Sequence, residues 1–266
     1  MRQDHPRIFT DKAELLRETL RPIDLEGKRV LDAGTGRTSA RALLSKHPSK
    51  IVLVTGPGDE RKAKPAREQL ADFPEVCGRV ILGDLADAGL FEQNSFDFIL
   101  ADYLVGEIDC FTPSAQFPVL SNIHRWLRPG GELLIVDTEP LAKGSNSENS
   151  PAQELMFWGQ MIPVLARRWD EKPRDYSSQL VSSWLDAIGF DEIRIAESKR
   201  ELDASWAEST YQAFIRQLAL LDDEGMREAI KRRLDAVMTT IKRIQHLHRR
   251  PIIQDNYSIR ASKSPE

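Results

Sequence analysis

The chain has 266 residues, which suits one large domain or two smaller ones. With 41% hydrophobic and 29% charged residues it can bury a sizeable core, which excludes wholesale disorder. Lys and Arg number 37 against 41 Asp and Glu, a net charge of −4 that argues against a globally basic nucleic-acid binder. No apolar run reaches the ~18–20 residues that span a bilayer, and Met1–Leu20 lacks the apolar stretch of a secretory signal. Two cysteines, Cys77 and Cys110, build neither a disulfide framework nor a zinc cage. A cytoplasmic location, no metal centre and no membrane partner are therefore expected.

In chain order, the segment His5–Leu20 has a helical pattern, and residues 1–24 are expected to form a helical cover. Five short aliphatic runs follow, at Arg29–Ala33, Lys50–Thr55, Arg79–Gly83, Phe96–Ala101 and Gly131–Asp137. They do not alternate strictly, as befits strands covered on both faces. Between them, Ser39–Lys46, Asp59–Asp72 and Ala115–Leu127 read as helices, the last closed by Arg128-Pro129-Gly130-Gly131. Such alternation predicts right-handed crossovers and a parallel sheet, an α/β architecture.

Beyond a loop at Ala142–Ser150, a helix is expected from Pro151 to about Arg168, a second from Tyr176 to Gly189, and strands at Glu192–Glu197 and Tyr257–Ala261. Between these strands, residues 199–250 read as an inserted helical hairpin. Ile230, Leu234, Val237 and Ile241 make one apolar helix face, and Phe214, Ile215 and Leu218 make another. Faces of this length need a cover, and a homodimer through the hairpin is the expectation. The run from Lys242 to Arg250 is basic but reads as a solvated helix face.

The chemistry is concentrated in Val30-Leu31-Asp32-Ala33-Gly34-Thr35-Gly36, at the end of the first aliphatic strand and the start of a helix. Glycines there let the backbone approach a ligand closely. In an open α/β sheet this is also the crevice side. Together with GDL at Gly83–Leu85, FDFILADYL at Phe96–Leu104, LRPGGELLIVD at Leu127–Asp137 and LDAIGFDEIRI at Leu185–Ile195, the motif resembles the class I methyltransferases that use S-adenosylmethionine (SAM). The resemblance covers Gly27 to Glu197. It implies a single methyltransferase domain over residues 1–266. Its sheet would be seven-stranded, doubly wound and mostly parallel, with the last strand antiparallel and the hairpin inserted before it.

The same resemblance implies site residues. Gly34 and Gly36 would pass under the methionine portion of SAM, and Asp32 would fix that turn and meet the amino group directly or through water. Asp84 and the Leu85 amide would meet the adenine edge, while Ala101 and Asp102 would contact the methionine end and open toward substrate. The family's second strand ends in an acid that grips the ribose. Here Thr55 stands in that place, and Asp59 in the next turn is a candidate substitute. Asp102, Tyr103 and Glu107 are the candidates for orienting an acceptor or taking its proton, and one or two of Phe157, Trp158, Trp169 and Tyr176 for a substrate wall.

The implied reaction is methyl transfer to a small-molecule acceptor. The alternatives are an RNA methyltransferase, a non-catalytic SAM-binding protein, and an NAD-binding oxidoreductase, whose glycine fingerprint Gly34-x-Gly36-x-x-Ser39 nearly fits. No Asn/Asp-Pro-Pro-aromatic block follows the fourth strand, which argues against amino methylation of nucleic acids.

Overall fold

A computed structural model of the chain describes residues 7–9, 12–140, 150–166, 175–201, 204–247 and 252–265. They fall into two compact units, one of residues 11–138, 173–197 and 256–266, the other of residues 1–10, 139–172 and 198–255.

The first unit holds the sheet. Its strands are β2 (Arg29–Ala33), β3 (Lys50–Thr55), β4 (Cys77–Leu82), β5 (Phe96–Asp102), β6 (Leu127–Thr138), and the sheet-forming parts of β7 (Phe190–Glu201) and β8 (Ile252–Lys263). They lie in the order β7-β8-β6-β5-β2-β3-β4. β2 pairs in parallel with both β3 and β5, and β5 with β6, whereas β8 runs antiparallel to β6, Ile135 opposite Ile259. Within the first unit this is the seven-stranded, mostly parallel sheet expected, and β1 (Arg7–Phe9) adds an eighth strand beyond β7. Chain order reverses between β2 and β5, so the crevice lies beyond the carboxyl ends of these two strands.

The strands are legible because their side chains are buried on both faces. Val30, Leu31, Ile51, Leu53, Phe98, Ile99 and Leu100 are fully covered. Helices α2 (Arg37–Leu44), α3 (Glu60–Ala71), α5 (Gln116–Trp126) and α7 (Ser178–Ile188) take the expected places. Asp59 caps α3 by accepting from the Lys62 amide at 3.2 Å, and Ser177 caps α7 by accepting from the Leu180 amide at 3.2 Å. Gly189, at φ +103°, ends α7 in the left-handed conformation that glycine adopts without strain. Two further elements, α4 (Leu104–Glu107) and a 3₁₀ turn at Ile108–Cys110, stand directly after β5, where no periodicity announced them.

The N-terminal segment differs from its reading as one helical cover. Strand β1 (Arg7–Phe9) precedes helix α1 (Lys12–Leu20). Leu15, Leu16 and Leu20 of α1 are buried, and α1 packs against α2 rather than lining the crevice. β1 belongs to the second unit, where it pairs in parallel with the far end of β7, Arg7 opposite Ser198. A three-residue strand carries no period of its own, and its partner comes from nearly two hundred residues away.

The second unit is mostly helical. It holds α6 (Ser150–Leu165) and the expected hairpin, α8 (Ala204–Leu218) and α9 (Glu224–His246). Asp223 caps α9, its carboxylate accepting from the Met226 amide at 2.7 Å. Ile230, Leu234, Val237, Met238 and Ile241 of α9 are buried with Leu155 and Ile162 of α6 and Ala207 and Leu218 of α8. The apolar faces are thus covered inside the unit, which removes the ground on which a homodimer through the hairpin was expected. Lys242 pairs with Glu208 at 3.0 Å, in keeping with a solvated face, and residues 248–250 of the basic run lie outside the described residues.

Candidate functional site

The crevice beyond β2 and β5 opens into a cavity of about 900 Å³, mouth included, within the first unit. Its floor is the turn at Gly34, Thr35 and Gly36. One wall is the end of β3 with Val54, Thr55, Gly56 and Pro57, continued by Gly83, Asp84 and Leu85 after β4. The other wall is Asp102, Tyr103, Leu104, Glu107 and Ile108, closed by Phe111, Thr112 and Val119.

The turn is built by one serine. Ser39 Oγ accepts from the Gly36 amide at 3.0 Å and donates to Asp32 Oδ2 at 2.8 Å. Thr35 Oγ1 donates to the Asp32 carbonyl at 3.2 Å. Gly34 stands at φ +89°, and a Cβ on it would come within 3.0 Å of Leu104 Cδ1, so this position demands glycine twice over. Gly36 has an extended φ of −119°, and a Cβ there would meet nothing nearer than Ser39 Oγ at 3.8 Å. Its want of a side chain serves whatever lies over the turn, not the turn itself.

Asp32 is fully buried, and its Oδ1 has no hydrogen-bond partner among the described residues. Burial pushes its carboxyl up to about 7, the Ser39 hydrogen bond opposes this, and the nearby Asp102 carboxylate adds to it. One acidic group beneath the glycine turn and a second on the cavity wall favour a cationic ligand group such as an ammonium. Asp32 lies under the turn rather than on the cavity surface. Ala101, expected among the contacts, is fully buried in the core and does not line the cavity, whereas Asp102 does. The step of two along a strand explains this: Ala101 faces the layer beneath.

Asp84 stands at the mouth after β4. Its Oδ1 accepts from the Ala86 amide at 2.9 Å and its Oδ2 from Thr112 Oγ1 at 3.3 Å. Thr55, at the ribose position, is buried and its Oγ1 has no partner among the described residues. Asp59, the candidate substitute, is engaged as the cap of α3 and does not line the cavity.

Among the acceptor candidates, Tyr103 sits at φ +53°, a left-handed conformation held by its hydroxyl donating to Asn256 Oδ1 at 2.8 Å. This turns the chain sharply into α4. Asp137, buried at the end of β6, accepts from the Val105 amide at 3.1 Å and so seats α4; burial pushes its carboxyl up to about 7. Asp109 accepts from Tyr176 Oη at 2.6 Å and from the Ser114 amide at 2.9 Å, which fixes the following turn. Glu107 pairs with Lys62 at 3.4 Å. Burial, with Glu107 and Asp109 nearby, pushes the Cys110 thiol up, which makes it a poor nucleophile.

Of the expected wall aromatics, Tyr176 is held by Asp109 and packs on Trp184, at 5.3 Å between ring centres. Phe157 is exposed on α6, Trp158 packs in the core of the second unit, and Trp169 lies outside the described residues. The cavity residues that sequence reasoning missed include Lys62, Phe111 and Thr112. Their only signal was proximity to a motif: Lys62 follows the β3 turn, and the other two follow the strand carrying Asp102.

Residues 31–135 match the family model described as "Methyltransferase domain". The chain is 29% identical over 128 residues to a highly reducing polyketide synthase of Gibberella zeae, covering 46% of this chain and 4% of that protein. It is 27% identical over 117 residues to a ubiquinone/menaquinone biosynthesis C-methyltransferase of Desulfotalea psychrophila, covering 43% of each. The chain thus spans less than half the length of these relatives. A solved SAM-dependent methyltransferase of Archaeoglobus fulgidus superposes with a TM-score of 0.55 at 16% identity, covering 95% of both chains. At that identity the likeness is one of fold, and the fold is that of the class I methyltransferases.

Proposed function

We propose, with residues 31–135 as a class I methyltransferase domain for premise, that this protein transfers the methyl group of SAM to a small-molecule acceptor. The observation that carries the reading is the convergence of Gly34, Gly36, Thr55, Asp84, Leu85 and Asp102 on one cavity at the reversal of the sheet. The fit is chemical as well as spatial. A backbone turn with no Cβ at Gly36 admits a close ligand, and the acidic pair Asp32 and Asp102 suits an ammonium group. The Asp84 carboxylate with the Leu85 amide suits the edge of a purine.

When bound, SAM supplies an electrophilic methyl carbon. The protein's part is alignment and the exclusion of water. The Gly34–Gly36 turn would hold the methionine end, with Asp32 below and Asp102 beside it. Asp84 and Leu85 would hold the adenine. Tyr103, fixed by Asn256, and Leu104 line the side toward which an acceptor approaches, and Asp102 or Tyr103 can accept or relay its proton if it must lose one. The small-molecule reading is supported by the cavity and by the quinone-pathway methyltransferase among the relatives.

The test is transfer of label from methyl-labelled SAM to a cell extract split into small-molecule and RNA fractions. Label in the small-molecule fraction is expected. Label in RNA alone favours the RNA methyltransferase, and SAM binding without transfer to either favours the non-catalytic protein.

A further inference from the structure

We propose that Glu107, held by Lys62, is the carboxylate that accepts the ribose hydroxyls of the bound cofactor. The proposal rests on the SAM reading above and assigns the one contact that reading leaves open. A vicinal diol presents two donors, which a carboxylate can accept together and a single hydroxyl cannot. At the end of β3 the residue that would do this is Thr55, a hydroxyl.

Three carboxylates line the cavity, Asp84, Asp102 and Glu107, and Asp59 lies just beyond its β3 wall. Asp59 caps α3 and faces the Lys62 amide. Asp84 accepts from Ala86 and Thr112 after β4. Asp102 stands at the end of β5, on the side of Asp32. Glu107 remains. It lines the same cavity as Thr55 and Gly56, and Lys62, in the first turn of α3 directly beyond that strand end, draws it there at 3.4 Å. Lys62 contacts Oε2, which leaves Oε1 to accept from a ligand.

The approach of this segment to β3 is built into the backbone. A Cβ on Gly56 would lie 2.4 Å from the Phe111 ring, so Phe111 rests directly on the glycine. One residue on, Thr112 donates to Asp84 at 3.3 Å. The stretch from Glu107 to Thr112 is therefore fastened to the ends of α3, β3 and β4 in turn. Any larger residue at position 56 would push it, and Glu107 with it, away from the ribose position. The carboxylate that β3 lacks is brought across the cavity from the segment after β5, with a lysine to aim it.

Titration calorimetry with S-adenosylhomocysteine and its 2′-deoxy analogue tests the assignment. The wild-type protein is expected to prefer the ribose form by tenfold or more. Glu107→Gln should lose about tenfold in affinity for the ribose form and bind the two forms alike. Thr55→Asp added to Glu107→Gln should restore the preference. Wild-type affinity and preference in a folded Glu107→Gln variant would overturn the proposal, as would a wild type indifferent to the hydroxyl. A wild type that binds neither form overturns the SAM reading itself, a result distinct from binding without dependence on Glu107.

Discussion

Ser39 Oγ stands 2.8 Å from Asp32 Oδ2 and at the same time accepts from the Gly36 amide. One hydroxyl thus joins a buried carboxylate to the backbone of the glycine turn. Ser39→Ala leaves that carboxylate oxygen and that amide without partners, and such a loss costs about 1–3 kcal/mol. Urea unfolding at pH 7 should show a destabilisation in this range and weaker binding of S-adenosylhomocysteine. Unchanged values for both would show that the hydroxyl is dispensable to the turn.

The two glycines of the turn should respond differently to substitution. Gly34→Val places a branched residue at φ +89° against Leu104, so it strains the fold as well as the site. Gly36→Val has an ordinary backbone conformation and room inside the protein. It should stay folded, with a melting temperature near wild type, and lose at least tenfold in S-adenosylhomocysteine affinity, roughly 1.4 kcal/mol or more. Full affinity in the folded variant would mean that no ligand passes over Gly36.

Asp32 and Asp137 are both held up to about 7 by burial. An unfolded aspartate titrates near 4. Between these values the native state binds more protons than the unfolded chain, so stability falls as pH rises through the window and levels off above it. Asp137→Asn removes one titrating group while keeping an oxygen for the Val105 amide. The slope of unfolding free energy against pH between about 4 and 7 should become shallower in this variant. A slope identical to wild type would show that Asp137 does not titrate in that window.

Ile230 and Leu234 are 4% and 0% exposed inside the second unit. Changing both to Glu buries two unpaired charges, so the expected result is unfolding of α6, α8 and α9. Circular dichroism should show a loss of helix, with any change of oligomeric state following from it. A fully helical double variant would show that these residues face another surface.

Gly159 gives a sharper probe of the same unit. A Cβ on it would lie 2.0 Å from the Phe214 ring, so the ring or the helix must shift. Gly159→Ala should cost about 1–3 kcal/mol, and Phe214→Leu in the same chain should recover part of it. Thermal unfolding followed at helical wavelengths measures both. Additive losses in the double variant would show that the two residues are not in contact.

Much of the fold was legible because burial writes itself into short aliphatic runs. Val30–Leu31, Ile51–Val54 and Phe98–Leu100 are covered on both faces, and no other strand type needs so many apolar residues in succession. The hairpin was legible from the spacing of Ile230, Leu234, Val237 and Ile241, but its cover was not, because α6 reaches it from another part of the chain. Helix α4 left no trace in the sequence. Four residues make no period, and its position depends on the left-handed Tyr103 and on two residues distant in sequence, Asn256 and Asp137. The same reason hid Lys62 and Phe111 from the site, whereas the resemblance gave Ala101 a place there that its inward face denies it.

Calorimetric titration of the wild-type protein with S-adenosylhomocysteine, set beside an identical titration with NAD, tests the central claim most directly. Saturable binding at one site is expected for S-adenosylhomocysteine, and no heat above dilution for NAD. Saturable binding of NAD with S-adenosylhomocysteine silent would contradict the claim.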